Sequence, residues 1–148
     1  MLNLPLDSHS VKCVERVDYA IGASLLASRE FVEDVGLMNE EYFLYYEELD
    51  WSIQGEKKGW GTFNCNKCSV LHKQGKTTQT GERYKNAKNL EIEKLKYVNL
   101  IKLYKNYFPN IVVIAQFKIL AKALLTLFKM RFSESKMIFN ALIESHKK

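Results

Sequence analysis

Apolar residues follow two different rhythms along this chain, and the change falls near residue 83. Before it, short apolar runs alternate with glycine and polar breaks, the pattern of strands and short helices packed together. The run Val17-Asp-Tyr-Ala-Ile-Gly-Ala-Ser-Leu-Leu-Ala27 reads as a strand interrupted at Gly22, where backbone turns or a ligand approaches. Ser28 has the chemistry of an N-cap, Phe31, Val32 and Val35 share one face of a short helix, and Gly36 ends it. A second helix is predicted from about Glu47 to Lys58, stopping at Gly59. Residues 60–72 alternate well enough for one or two short strands carrying Trp60, Thr62, Val70 and His72. Residues 73–82 are polar and contain glycine, which predicts a loop.

From Arg83 onward the strand signal is gone. Leu90, Leu95, Val98, Ile101 and Leu103 recur among lysines as far as Tyr107, and Pro109 marks a boundary. Ile111–Met130 is a mostly apolar stretch broken by Gln116, Lys118, Lys122 and Lys129, and a last helix is expected from Ser133 to Glu144. The predicted organisation is therefore an α/β region over 1–82 and a helical tail over 83–148, with no internal repeat.

Ile111–Met130 is long enough to span a bilayer. Its lysines argue otherwise. At 100° per residue Lys118, Lys122 and Lys129 fall within about 40° of one another, and Lys136 continues the stripe. One charged stripe on an apolar helix describes an interfacial helix with lysines toward lipid phosphates. It equally describes a helix packed on the protein's own core with its lysines in water. A spanning helix would hold Lys122 near its centre at a cost of about 3 kcal/mol.

Charge divides along the same line. Residues 1–60 carry five Lys/Arg against twelve Asp/Glu, whereas residues 61–148 carry seventeen against five. The basic half suits phosphate groups or an anionic membrane. Nucleic acid is disfavoured, because single-strand binders interleave cations with aromatics and here the aromatics concentrate in the acidic half.

Three cysteines argue against a disulfide framework and fit a reducing compartment. Cys65-x-x-Cys68 followed by His72 has the look of a zinc half-site, but no fourth ligand is evident, so strand and loop roles are expected. Met-Leu-Asn-Leu-Pro-Leu-Asp lacks a charged region and a long apolar run, unlike a signal peptide.

The densest chemistry lies at residues 43–51, Phe-Leu-Tyr-Tyr-Glu-Glu-Leu-Asp-Trp. Carboxylates beside apolar surface are costly unless something uses their charge. The expected geometry is an aromatic strand or loop entering a helix, with Glu47, Glu48 and Asp50 at its N-terminus, where free N–H groups and the dipole favour anions. A carboxylate in an aromatic-walled cleft can accept a proton from a sugar or lipid hydroxyl. A solvated helix cap flanked by core aromatics is the plainer alternative.

Taken in order, four segments resemble the C-terminal half of family 2 glycosyltransferases, especially bacterial rhamnosyltransferase-like enzymes. They are Val17–Phe31 with Gly22-Ala23, Val35-Gly-Leu-Met-Asn-Glu40, Glu47-Glu48-Leu-Asp50-Trp51, and His72-x-x-Gly75-x-Thr77. The resemblance covers roughly residues 15–80. It implies a partial GT-A fold and transfer of rhamnose or a similar hexose, with inversion, from a nucleotide-diphosphate donor to a lipid-linked or polysaccharide acceptor. On the same grounds Glu48 is the catalytic base, with Glu47 and Asp50 as acidic neighbours, and His72 holds a divalent cation (Mg²⁺ or Mn²⁺) or the donor diphosphate. Gly22, Ala23 and Trp51 would line the acceptor cleft, and Lys76 and Thr77 would contact phosphate.

Departures from the family pattern are specific. Glu48 stands where most relatives have Asp, and Asn39 replaces the usual Asp of its turn. The four aspartates, Asp7, Asp18, Asp34 and Asp50, include no Asp-x-Asp pair, so the donor-binding half of the family has no counterpart here. The expectation is a fragment, inactive alone and peripheral at the cytoplasmic face of a bacterial membrane. The alternative is a non-catalytic membrane-peripheral or interaction module built on that scaffold.

Overall fold

A computed structural model describes residues 2–5, 14–65, 67, 69–71 and 87–146. The chain separates into two compact units: one made of residues up to Phe43 together with Glu47–Lys73, the other of Leu44–Tyr46 and Gln74–Lys148.

The first unit is built on three antiparallel strands, β1 (Leu2–Pro5), β2 (Val14–Val17) and β3 (Trp60–Cys65), in the order β1-β3-β2. Leu2 pairs with Phe63 and Pro5 with Trp60 on one side of β3, and Val14 pairs with Cys65 and Val17 with Thr62 on the other. Pro5 lacks a donor and sits on an edge strand, where that omission is tolerated.

Helix α1 (Arg29–Val35) forms where its caps dictate. Ser28 Oγ accepts from the Phe31 N–H at 3.1 Å, and Gly36, at φ 93°, turns the chain out while its N–H bonds back to Val32. Helix α2 (Glu47–Lys57) places three acids in its first turn and Lys57 in its last, matching the helix dipole at both ends. Gly59, at φ 86°, makes the turn into β3.

Phe31 is the packing centre of this unit. Its ring meets Trp51 edge-on at 4.8 Å and Trp60 edge-on at 5.6 Å, which suits the aromatic quadrupole. The ring lies on Gly55 of α2, where a Cβ would come within 2.6 Å of Phe31 Cε2. Both indole N–H groups are satisfied, Trp51 by the Gly36 carbonyl at 2.9 Å and Trp60 by Asp34 at 2.7 Å.

The second unit is helical. Helix α3 (Ala87–Tyr107) is followed by a 3₁₀ turn (Pro109–Ile111), helix α4 (Val112–Phe128) and helix α5 (Phe132–Ser145). Ile101, Ile119, Ala123 and Ile138 form its core, with Tyr97, Leu100, Met137 and Leu142 packed around them. Ser135 Oγ donates to the Ala123 carbonyl at 2.9 Å, so a hydroxyl inside the α4–α5 contact is satisfied. Lys94 of α3 bridges Glu91 at 2.8 Å and Glu144 of α5 at 2.9 Å. Asn99 donates to the carbonyls of Leu44 and Tyr45, at 2.7 and 3.3 Å, which attaches that short segment to the helical unit.

Two sequence expectations need correction. The segment 17–27 is not a strand: β2 ends at Val17, and Gly22–Ser24 is a 3₁₀ turn. Its apolar residues are not buried on an alternating face, since Ile21 and Leu26 are both exposed. The strand expected within 60–72 ends at Cys65, and residues 69–71 are exposed coil. Cys68, His72 and the loop 73–82 lie outside the described residues.

Candidate functional site

The first turn of α2 carries the acids, and the chain enters it through an unusual backbone. Tyr45 and Tyr46 are both left-handed, at φ 70° and 74°, a conformation that costs about 1–3 kcal/mol per non-glycine residue. The aromatic segment before the acids is thus a bent loop and not a strand.

The three acids have different environments. Asp50 is 1% exposed and accepts from Gln54 Nε2 at 2.6 Å, one helical turn on. Glu47 is half-buried, and its Oε2 is buried without a hydrogen-bond partner. Burial pushes the Glu47 carboxyl above its ordinary range; a backbone hydrogen bond opposes that, and the charge of Glu48 adds to it. Glu48 is half-buried and reaches across to the 3₁₀ turn, where the Gly22 N–H donates to its Oε1 at 3.0 Å.

That contact explains the glycine. A Cβ at residue 22 would lie 2.0 Å from Glu48 Oε1 and 2.8 Å from its Cδ, so any larger residue displaces the carboxylate. Gly22 is required by close approach, not by a left-handed dihedral. Ala23 follows it on the same exposed turn. Two sequence-predicted site residues, Gly22 and Glu48, are therefore brought together across 26 positions.

Trp51 and Asp50 serve differently. Trp51 is a core ring whose N–H is held by Gly36, so it faces Phe31 and not an open cleft. Asp50 is buried, its carboxylate held by Gln54. His72, Lys76 and Thr77 lie outside the described residues. Among the described residues no three His, Cys, Asp or Glu side chains converge as a metal site. A divalent cation takes about six oxygen donors, and Glu47 and Glu48 alone do not supply that set, so no step is derived through a metal.

Sequence reasoning missed Gln54, although the Asp50-x-x-x-Gln54 spacing places the two on one helix face. It also missed Asp34, which joins the Trp60 indole to Lys58 Nζ at 2.7 and 3.4 Å. No local pattern marks that cluster, because its members come from α1, the turn after α2 and β3.

No protein-family model matches the chain, and no solved structure matches it. One curated protein does: the low-salt glycan biosynthesis hexosyltransferase Agl10 of Haloferax volcanii, 30% identical over 71 residues. The match takes in 48% of this chain, and the chain spans 22% of that protein's length. Over that stretch the chain is related in sequence to a glycosyltransferase of glycan biosynthesis.

Proposed function

We propose that this chain is the acceptor-side, base-bearing part of an inverting glycosyltransferase of the family 2, GT-A type. It would act on a nucleotide-diphosphate sugar, rhamnose or a similar hexose, and on a lipid-linked or polysaccharide acceptor in cell-surface glycan synthesis. The observation that carries the reading is the Gly22 N–H to Glu48 Oε1 contact, which joins two of the resembling segments at one point. Sequence relationship to a hexosyltransferase supports it.

In this mechanism the acceptor hydroxyl attacks the anomeric carbon while Glu48 takes its proton. The new C–O bond forms on the face opposite the leaving group, and the old bond's electron pair departs with the nucleoside diphosphate. Gly22 fixes one carboxylate oxygen and leaves the other to receive the proton. Glu47 stands beside the base, its carboxyl pushed upward chiefly by burial, with the Glu48 charge adding to that shift.

The test is genetic complementation in the producing cell. Deleting the gene should remove one hexose from a surface glycan, read by mass spectrometry, and wild type should restore it. Glu48→Gln keeps shape and removes the base, so restoration should fall by about 10²–10⁴-fold in rate. Full restoration by Glu48→Gln would transfer the role to Glu47 or Asp50; an unchanged glycan in the deletion strain would end the reading. A non-catalytic membrane-peripheral module is the second reading, favoured by the exposed apolar face of α4.

A further inference from the structure

Helix α4 has three faces with different chemistry. Ala115, Ile119, Ala123 and Thr126 are buried within the helical unit, so the inward face is made of mostly small side chains. The large side chains point the other way. Val113, Ile114, Phe117, Leu124, Leu125 and Phe128 are each at least half exposed. At 100° per residue they occupy a sector of about 120°, opposite the buried face. Lys118, Lys122 and Lys129 line one flank between the two, and the helix carries no Asp or Glu.

The turn after α4 is likewise exposed and apolar. Phe128, Met130 and Phe132 are 93%, 72% and 58% exposed, and Lys129 and Arg131 alternate with them. Met130 is left-handed, at φ 58°. A tip that alternates apolar side chains with cations suits an interface where hydrocarbon and phosphate lie a few ångströms apart.

We propose that this face docks on an anionic lipid bilayer, with α4 lying in the headgroup plane. Phe117, Leu124 and Phe128 enter the acyl region, and Lys118, Lys122 and Lys129 reach the phosphates. Charge selects the occupant. A second copy of the chain brings the same positive excess, so pairing through this face is opposed, whereas an anionic bilayer complements both the stripe and the apolar sector. A spanning role does not follow, even though Pro109–Phe128 is long and apolar enough by composition. Ile119 and Ala123 pack in one core with Ile101 of α3, and α3 carries Lys94, Lys96, Lys102 and Lys105, which would enter the hydrocarbon with it. The inference stands on α4 and its turn alone, independent of sugar transfer.

The experiment is co-sedimentation of the full chain with vesicles of phosphatidylcholine alone or mixed with phosphatidylglycerol. Wild type should bind the anionic vesicles, more weakly in high salt, and the neutral ones poorly. Each basic side chain near an anionic surface is worth roughly a fivefold factor, so Lys118/Lys122/Lys129→Gln should weaken binding about a hundredfold. Phe117/Phe128→Ser, at exposed positions that leave the helical circular dichroism unchanged, should weaken it at least about tenfold. Equal binding by wild type and both variants, or no binding by wild type, would overturn the proposal. So would resistance to alkaline carbonate extraction, or a solution dimer that Phe117/Phe128→Ser converts to monomer.

Discussion

The aromatic cluster of the first unit and helix α4 of the second place their large side chains in opposite locations. In the first, Phe31 and Trp51 are inside, and the two indole N–H groups are matched to a carbonyl and a carboxylate. In the second, α4 turns Ala115, Ala123 and Thr126 inward and leaves Phe117, Leu125 and Phe128 outside. Burying a large ring contributes about 1.5–3 kcal/mol, so a chain that leaves such rings in water has forgone that stabilisation. Rings inside describe a scaffold that holds a carboxylate in position. Rings outside describe a surface that another phase covers.

Core truncation should break or sharpen this contrast most strongly. Phe31→Ala removes the ring between Trp51 and Trp60 and should cost about 3–5 kcal/mol, read as a lower urea midpoint. Ile119→Ala, on the inward face of α4, should cost about 2–5 kcal/mol. Phe117→Ser, two residues earlier on the outward face, should change stability by no more than about 0.5 kcal/mol. A Phe117→Ser loss equal to that of Ile119→Ala would mean the outward face is packed, and the contrast would fail.

Gly22→Ala probes the site within the first unit. The clashing atoms belong to the end of the flexible Glu48 side chain, so the carboxylate can swing aside and the fold should survive. The proposed base, however, loses its anchor. A displacement of about 1 Å is worth about a hundredfold in rate, which the same complementation assay would register. Normal transfer by Gly22→Ala, with melting unchanged, would show that the Gly22–Glu48 contact does not position the base.

A smaller effect belongs to the α1 cap. Ser28→Ala should cost about 1 kcal/mol, and Ser28→Gly only a few tenths, because glycine leaves the N-terminal amides open to water. Equal losses would mean that the Phe31 N–H is not satisfied by the hydroxyl.

That cap also shows what was readable in advance. Ser28, Gly36, Gly59 and Pro109 act within a few residues of themselves, so both ends of α1 and the C-terminal ends of α2 and α3 follow from local chemistry. The segment 17–27 misled because its donor at Gly22 serves a carboxylate 26 residues away and not a strand ladder. Glu48 and Gly22 were named from the resemblance, yet their contact is a tertiary fact that no spacing encodes. The lysine stripe of α4 was visible, but which remaining face packs depends on α3 and α5. Trp51 looked like a cleft residue from its position in the acidic cluster. Its burial follows from Phe31 and Gly36, which fold back on it from outside that cluster.

The smallest effects are those of pH, and the titrating groups differ in their sign. Asp34 is held below its ordinary range, first by the Trp60 indole hydrogen bond and then by Lys58. A lowered carboxylate contributes stability present above the ordinary pKa and lost as pH falls through the lowered one. Glu47 is raised, chiefly by burial, so its contribution is present below the ordinary carboxylate pKa and lost as pH rises through the raised one. The first unit should therefore be squeezed from both sides of the carboxylate range. Lys94 is raised by its hydrogen bonds to Glu91 and Glu144, so that contribution holds until pH climbs through the raised lysine value. Urea midpoints measured from roughly pH 3 to 11, bracketing the carboxylate and lysine ranges, separate the three. Asp34→Asn should remove the acid-side loss, Glu47→Gln the loss just above it, and Lys94→Met the alkaline one. If Glu47→Gln leaves that slope intact, burial does not raise the Glu47 carboxyl, and the pH dependence just above the carboxylate range belongs to another group.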